Sequence, residues 1–154
     1  MSTEHLEIFV RYILRYFERA TNDEAVVGTP YLHDGTPLPY RYTGSISISG
    51  SMRGNVYYSA NAELLRDVLL SWGEPVSNTA DSSLLADIVG EIANTLAGNA
   101  REELGHQFII STPTVYEAET DAINLPSKTA NLAIPVRWKE HDSLVTLSFE
   151  NSES

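Results

Sequence analysis

The sequence predicts an α+β protein in which long helices pack against a mostly antiparallel β-sheet. Three observations carry this. Apolar residues recur at three- and four-residue steps through 4–20 and again through 81–104, the period of amphipathic helices. The stretch "SISISGSMRGNVYYSA" alternates apolar and polar residues about a glycine turn, the pattern of a β-hairpin. The last third holds further alternating runs, and the connections between strands are short enough for antiparallel pairing.

Taken in order, the first helix carries an apolar stripe of Leu6, Phe9, Val10, Ile13, Phe17 and Ala20, with Glu7 and Arg11 spaced as a favourable surface pair. Residues 28–44, "GTPYLHDGTPLPYRYTG", contain Pro30, Pro37 and Pro39 and are expected to form a long irregular connection. Its Tyr31, Tyr40 and Tyr42 suit either a binding edge or packing over the sheet. The hairpin follows, with Ile46 and Ile48 before the turn at Gly50 to Gly54 and Val56 and Tyr58 after it. Asn61 is placed to cap a short helix whose stripe is Leu64, Leu65, Val68, Leu69 and Trp72, and Gly73 with Pro75 ends it.

The long helix at 81–104 leads into an extended run broken at Pro113, then two strands around the polar turn Lys139 to Ser143. Residues 1–150 form one domain, and the tail 151–154 is expected to fray. Each half opens with a long helix and continues into strands, an order consistent with an internal duplication.

Composition narrows the function. The chain of 154 residues has 42% hydrophobic and 20% charged residues, enough for one packed core without staples. Its net charge is −11, with 10 Lys and Arg scattered among 21 Asp and Glu, so no concentrated positive surface exists for nucleic acid. There is no cysteine, which removes disulfides, thiolate metal sites and cysteine nucleophiles. His5, His33, His106 and His141 lack paired spacing, so no metal site is expected. No stretch is long and apolar enough to span a bilayer, and a cytoplasmic protein is expected. "SGSMRGN" lacks the lysine of a phosphate loop, and no nucleophile elbow is present.

The long helix holds the feature that core packing leaves unexplained. At about 100° per residue, Asp87, Glu91, Asn94 and Gly98 share a narrow sector, opposite Leu85, Val89, Ile92 and Leu96. Stability does not call for them. Asp87 and Glu91 are like charges at i, i+4, and Asn94 and Gly98 are weak helix formers. Gly98 also leaves room for another surface beside Asn94. Spacing alone does not separate a recognition face from an ordinary solvated one.

The segment "DIVGEIAN" resembles the motif of the CheC/CheX/FliY chemotaxis phosphatases, and most closely their CheX branch. The resemblance extends to "GEIANTLAGNA", to the strand, glycine turn and strand of "SISISGSMRGNVYYSA", and to the proline-containing "STPTVYEA". It implies a CheC/CheX-like pseudo-repeat and hydrolysis of the aspartyl phosphate of a CheY-type response regulator. Asn94 would position the attacking water, Glu91 would engage a lysine of the partner, and Asp87 would complete the recognition face with Gly98 beside it. The protein would need no cofactor of its own, since the magnesium belongs to the partner's receiver domain. In the first helix, Thr3 and Glu7 are followed by Val10 where a second amide would stand, so one active site per chain is expected. The resemblance also implies a homodimer joined at a sheet edge. The alternative is a noncatalytic adaptor of the same fold that binds a regulator through its acidic helix.

Overall fold

The computed structural model describes residues 3–50, 52–73, 82–105, 107–118 and 131–150. Among these residues, three helices, α1 (Thr3–Thr21), α2 (Ala62–Ser71) and α3 (Ser82–Leu104), accompany eight strands. The strands are β1 (Ala25–Val27), β2 (Tyr31–His33), β3 (Tyr42–Ser49), β4 (Arg53–Ala60), β5 (Ile109–Ile110), β6 (Thr114–Glu117), β7 (Asn131–Trp138) and β8 (His141–Glu150). They form one antiparallel sheet in the order β1-β7-β8-β4-β3-β5, with β2 also pairing with β7 and β6 with β3. The expected fold class holds. No helix of the described residues is long and apolar enough to cross a membrane.

The duplication is legible in the pairing. Each half runs helix, two short strands, long hairpin; β3–β4 and β7–β8 are the hairpins, and β4 lies against β8 at the centre. The short strands cross over: β1 and β2 pair with β7 of the other half, while β5 and β6 pair with β3. Neither half can therefore complete its sheet edge alone.

Because strand side chains alternate, each cross-strand row shares a face. The row Ile46, Val56, Leu147, Leu132 points toward the helices and joins one core with Phe9, Ile13 and Phe17 of α1 and Leu64, Leu65 and Val68 of α2. The next row on that face is Gly44, Tyr58, Val145, Ile134. Glycine at the end of an otherwise bulky row leaves a notch, and α3 fills it. A Cβ on Gly44 would lie 2.6 Å from the Val89 carbonyl oxygen and 3.1 Å from both Gly90 Cα and Ala93 Cβ. Gly90 is as confined, since its Cβ would meet Val115 Cγ2 at 2.9 Å. On the opposite sheet face, the buried hydroxyls of Thr43 and Ser59 bond at 2.7 Å, and Leu38 packs with Ala133 and Leu144.

Several local expectations change. The connection at 28–44 contains β2, which is stabilised by hydrogen bonds to β7, far along the chain. Asn61 stands at the N-cap of α2, but its side chain accepts the Arg41 N–H at 2.9 Å and makes no cap bond. Arg11 does not pair with Glu7. Its Nη1 donates to both carboxylate oxygens of Glu103, at 2.7 and 2.6 Å, clamping α1 to α3. Tyr42 is buried in the core, leaving Tyr31 exposed and Tyr40 half-buried on the Leu38 cluster. Gly73 does close α2, at φ +81 with its N–H on the Leu70 carbonyl. Pro75, His106 and the tail 151–154 lie outside the described residues.

Gly44→Val should push α3 off the sheet and destabilise the fold by roughly 1–3 kcal/mol, the usual cost of overpacking; a thermal or urea melt will show it. A second expectation concerns acid. Hydrogen bonds from Tyr12 and Arg11 hold the Glu103 carboxyl below the usual carboxylate range. A carboxylate whose folded-state pKa is lowered stabilises fully above the unfolded value and loses that contribution as pH falls through the lowered one. The stability gap between wild type and Glu103→Gln should therefore be present at about pH 6 and close as the carboxylate range is crossed downward.

Candidate functional site

Helix α3 is held at both ends and in the middle. At its start, the Ser82 hydroxyl donates to Glu117 at 3.1 Å and lies 3.2 Å from the Tyr42 hydroxyl. Arg41 completes the group with a 3.0 Å ion pair to Glu117. At its end, Gly105 adopts φ +118 and donates its N–H to the Arg101 carbonyl, while Arg101 Nε donates to the Phe108 carbonyl at 2.6 Å. A left-handed glycine in this place is a common way to stop a helix. The Gly44–Gly90 approach seats the middle. With these three restraints, rotation of α3 about its axis is not free.

The buried arc of α3 contains Leu85, Ile88, Val89, Gly90, Ile92, Ala93, Leu96, Ala97 and Ala100. Asp87, Glu91 and Asn94 are therefore turned outward and exposed, and Gly98 is half-exposed beside them. Periodicity had placed these four on one face. Among the described residues none of the three polar side chains has a hydrogen bond or an ion pair. Gly98 has open space where its Cβ would be. The carboxamide of Asn94 and the carboxylates of Asp87 and Glu91 therefore form an exposed polar face whose side chains are not engaged by the described residues.

Glu91 belongs to a second feature that sequence periodicity did not disclose. It lines a groove of about 500 Å³ with Arg15, Tyr16 and Arg19 of α1, Trp72 after α2, and Asn99 farther along α3. Trp72 was expected in the apolar stripe of α2. It instead stands past the helix end, 38% exposed, with its N–H on the Leu69 carbonyl. Tyr16 is 9% exposed, and its hydroxyl has no hydrogen-bond partner among the described residues. Burial, followed by the nearby Glu91 carboxylate, pushes the phenol well above its ordinary pKa. The signal available in sequence was weak: Tyr16 sits between apolar positions of α1, and only the docking of α1 on α3 brings it to Glu91.

Two of the described histidines have partners of their own. His141 Nε2 is 2.6 Å from Asp67 Oδ2, tying β8 to α2, and His33 Nδ1 accepts the Gly35 N–H. Among the described residues no three histidine or acidic side chains gather as a metal centre would require.

The sheet and helices have counterparts in solved structures of CheC/CheX-like chemotaxis proteins. The chemotaxis protein CheX from Desulfovibrio desulfuricans matches at TM-score 0.82 and 21% identity, over 96% of this chain and 99% of that one. A CheC-like superfamily protein from Shewanella sp. PV-4 matches at TM-score 0.84 and 21% identity, over 98% and 100%. The CheX–CheY–BeF3–Mg2+ complex from Borrelia burgdorferi matches at TM-score 0.80 and 18% identity, over 96% and 98%. No curated protein matches at the sequence level. The family described as "Chemotaxis phosphatase CheX" matches residues 42–137, more than half of the chain, and the protein belongs to that family. The matched segment includes α3 and its motif; α1 lies outside it.

Asn94→Ala should leave the melting temperature unchanged or slightly higher, because no buried contact is lost and alanine is the better helix former by up to about 0.7 kcal/mol. Gly98→Ala should stabilise by about 0.8–1 kcal/mol for the same reason. A marked loss of stability in either variant would mean that these residues serve the fold.

Proposed function

We propose that this protein hydrolyses the aspartyl phosphate of a CheY-type receiver domain and so resets a response regulator. The observation that carries the proposal is the outward, unbonded side chain of Asn94 on a helix restrained at three places. A flexible or self-bonded amide would not serve.

The chemistry asks for orientation more than for basicity. In phosphoryl transfer the attacking and leaving oxygens lie in line with phosphorus, and positioning with charge stabilisation supplies most of the acceleration. A carboxamide both accepts and donates hydrogen bonds, so Asn94 can hold a water along that line. The water oxygen bonds to phosphorus as the bond from phosphorus to the aspartate oxygen breaks. Inorganic phosphate leaves, and the carboxylate is regenerated. The magnesium that offsets the phosphoryl charge would be the receiver's own. Glu91, one turn earlier on the helix, would pair with a lysine of the partner and set the register of the amide. Asp87 widens the acidic face, and Gly98 lets the partner approach closely. The family description and the CheX–CheY composition of the Borrelia burgdorferi complex support this reading. A single site per chain follows from Val10, half-exposed on α1, where the equivalent amide would stand. A homodimer made by sheet extension would use β1 with β2 on one side or β5 with β6 on the other, the outer strands among the described residues.

The test is decay of a phosphorylated receiver domain, chosen from a panel, with wild type, Asn94→Ala and Glu91→Ala. Wild type should accelerate decay, and Asn94→Ala should lose roughly a hundredfold or more, as loss of one preorganised positioning group does. Glu91→Ala should lower kcat/KM by about tenfold or more through lost docking. Equal acceleration by wild type and Asn94→Ala would remove the amide from the chemistry. Binding without acceleration by any form would establish the adaptor.

A further inference from the structure

The groove between α1 and α3 holds residues that neither the fold nor the hydrolytic site uses. Four of the eight arginines of the described residues pair with acids: Arg11 with Glu103, Arg41 with Glu117, Arg66 with Glu63 and Arg137 with Asp142. Arg15 and Arg19 are the two that line this groove, and Arg15 also lies over the Tyr12 ring, 5.4 Å from its centroid. They have no carboxylate within salt-bridge distance among the described residues. In a chain of net charge −11, two arginines on one wall, neither in an ion pair among the described residues, concentrate positive charge locally.

The rest of the wall has matching chemistry. The Tyr16 hydroxyl is a buried donor without an acceptor among the described residues, where phenylalanine would fill the space without an unbonded group. Asn99 adds an amide. Trp72 stands at the rim with more than a third of its surface exposed. Tryptophan, tyrosine and arginine are the side chains that dominate protein–protein binding energies. The groove also shares Glu91 with the Asn94 face, so the two surfaces adjoin.

We infer that this groove is a second docking subsite for the phosphorylated receiver domain, taking a carboxylate side chain of that partner on Arg15 and Arg19 beside the Tyr16 hydroxyl. The identity of the partner rests on the function proposed above; the charge and donor pattern of the groove does not. Glu91 and the two arginines then present opposite charges side by side. The partner is recognised by a cation and an anion at matching separation, which rejects surfaces carrying only one of them. The arginines also offset the repulsion between an acidic phosphatase and an anionic phosphorylated surface, so their main effect falls on encounter and affinity.

The experiment is binding of the full chain to a magnesium-loaded, beryllofluoride-activated receiver domain, followed across a salt series. The receiver is the panel member whose phosphorylated form this protein turns over fastest, or binds most tightly if none is turned over. Arg15→Glu with Arg19→Glu should weaken binding about tenfold or more and flatten its salt dependence. In turnover assays the same variant should raise KM while kcat stays near wild type. Arg15→Gln with Arg19→Gln, which adds no new charge, should shift binding in the same direction by less. Tyr16→Phe and Trp72→Ala should weaken binding severalfold without lowering the melting temperature of the Tyr16 variant. Reversing the partner's carboxylate to lysine should restore binding to the doubly reversed protein. Wild-type affinity and salt dependence in a doubly reversed protein that melts normally would overturn the subsite. Asn94→Ala should keep its affinity. Full hydrolytic activity in Asn94→Ala would overturn the catalytic reading and leave the groove standing, whereas failure of every receiver to bind would overturn both.

Discussion

The closeness of β3 to α3 is the constraint on which the functional face depends. Two glycines, Gly44 on the strand and Gly90 on the helix, remove the Cβ atoms that would otherwise hold the elements apart. The helix backbone comes down onto the sheet, Val115 of β6 closes over Gly90, and the small Ala93 fills the remaining space. Packing at this density resists small displacements. The side of α3 away from the notch is consequently the side that faces outward, and it carries Asp87, Glu91 and Asn94. The terminal anchors at Ser82 and Arg101 keep that direction along the whole helix.

The repeated architecture explains why two similar helices differ in character. Each half lends its short strands to the other half's hairpin, so the halves are tied together and both long helices lie against one core. Helix α3 presents the carboxylates and the amide. Helix α1 presents Arg15 and Arg19 to the neighbouring groove. The Arg11–Glu103 clamp holds the two helices in register, which brings the basic wall beside Glu91. Under the proposed function, one helix orients the reacting water and the other supplies attraction to the partner.

The parts of this arrangement that were legible in sequence share a physical basis. The face of α3 follows from backbone geometry, because hydrogen bonding fixes about 3.6 residues per turn and the apolar stripe then selects the inward side. The hairpins follow likewise from the two-residue period of strands. What escaped depends on partners distant in the chain. Arg11 had Glu7 within reach on its own helix yet bonds Glu103, whose two oxygens a docked α3 holds ready. Asn61 is positioned as a cap, but the Arg41 N–H takes its oxygen. Tyr31 to His33 has the prolines and glycines of a loop around it and becomes strand because β7 offers an edge. Trp72 continues the apolar spacing of α2 past the point where Gly73 turns the chain away.

By itself, then, the sequence determined the three helices and the two hairpins, the inward and outward sides of the long helices, and the spacing of Asp87, Glu91 and Asn94, since these depend on local backbone periods. Tertiary structure alone decided the exchange of short strands, the seat of α3 in the Gly44 notch and the meeting of Arg15, Tyr16 and Arg19 with Glu91. Those depend on how closely separate surfaces approach, and no local period encodes that distance.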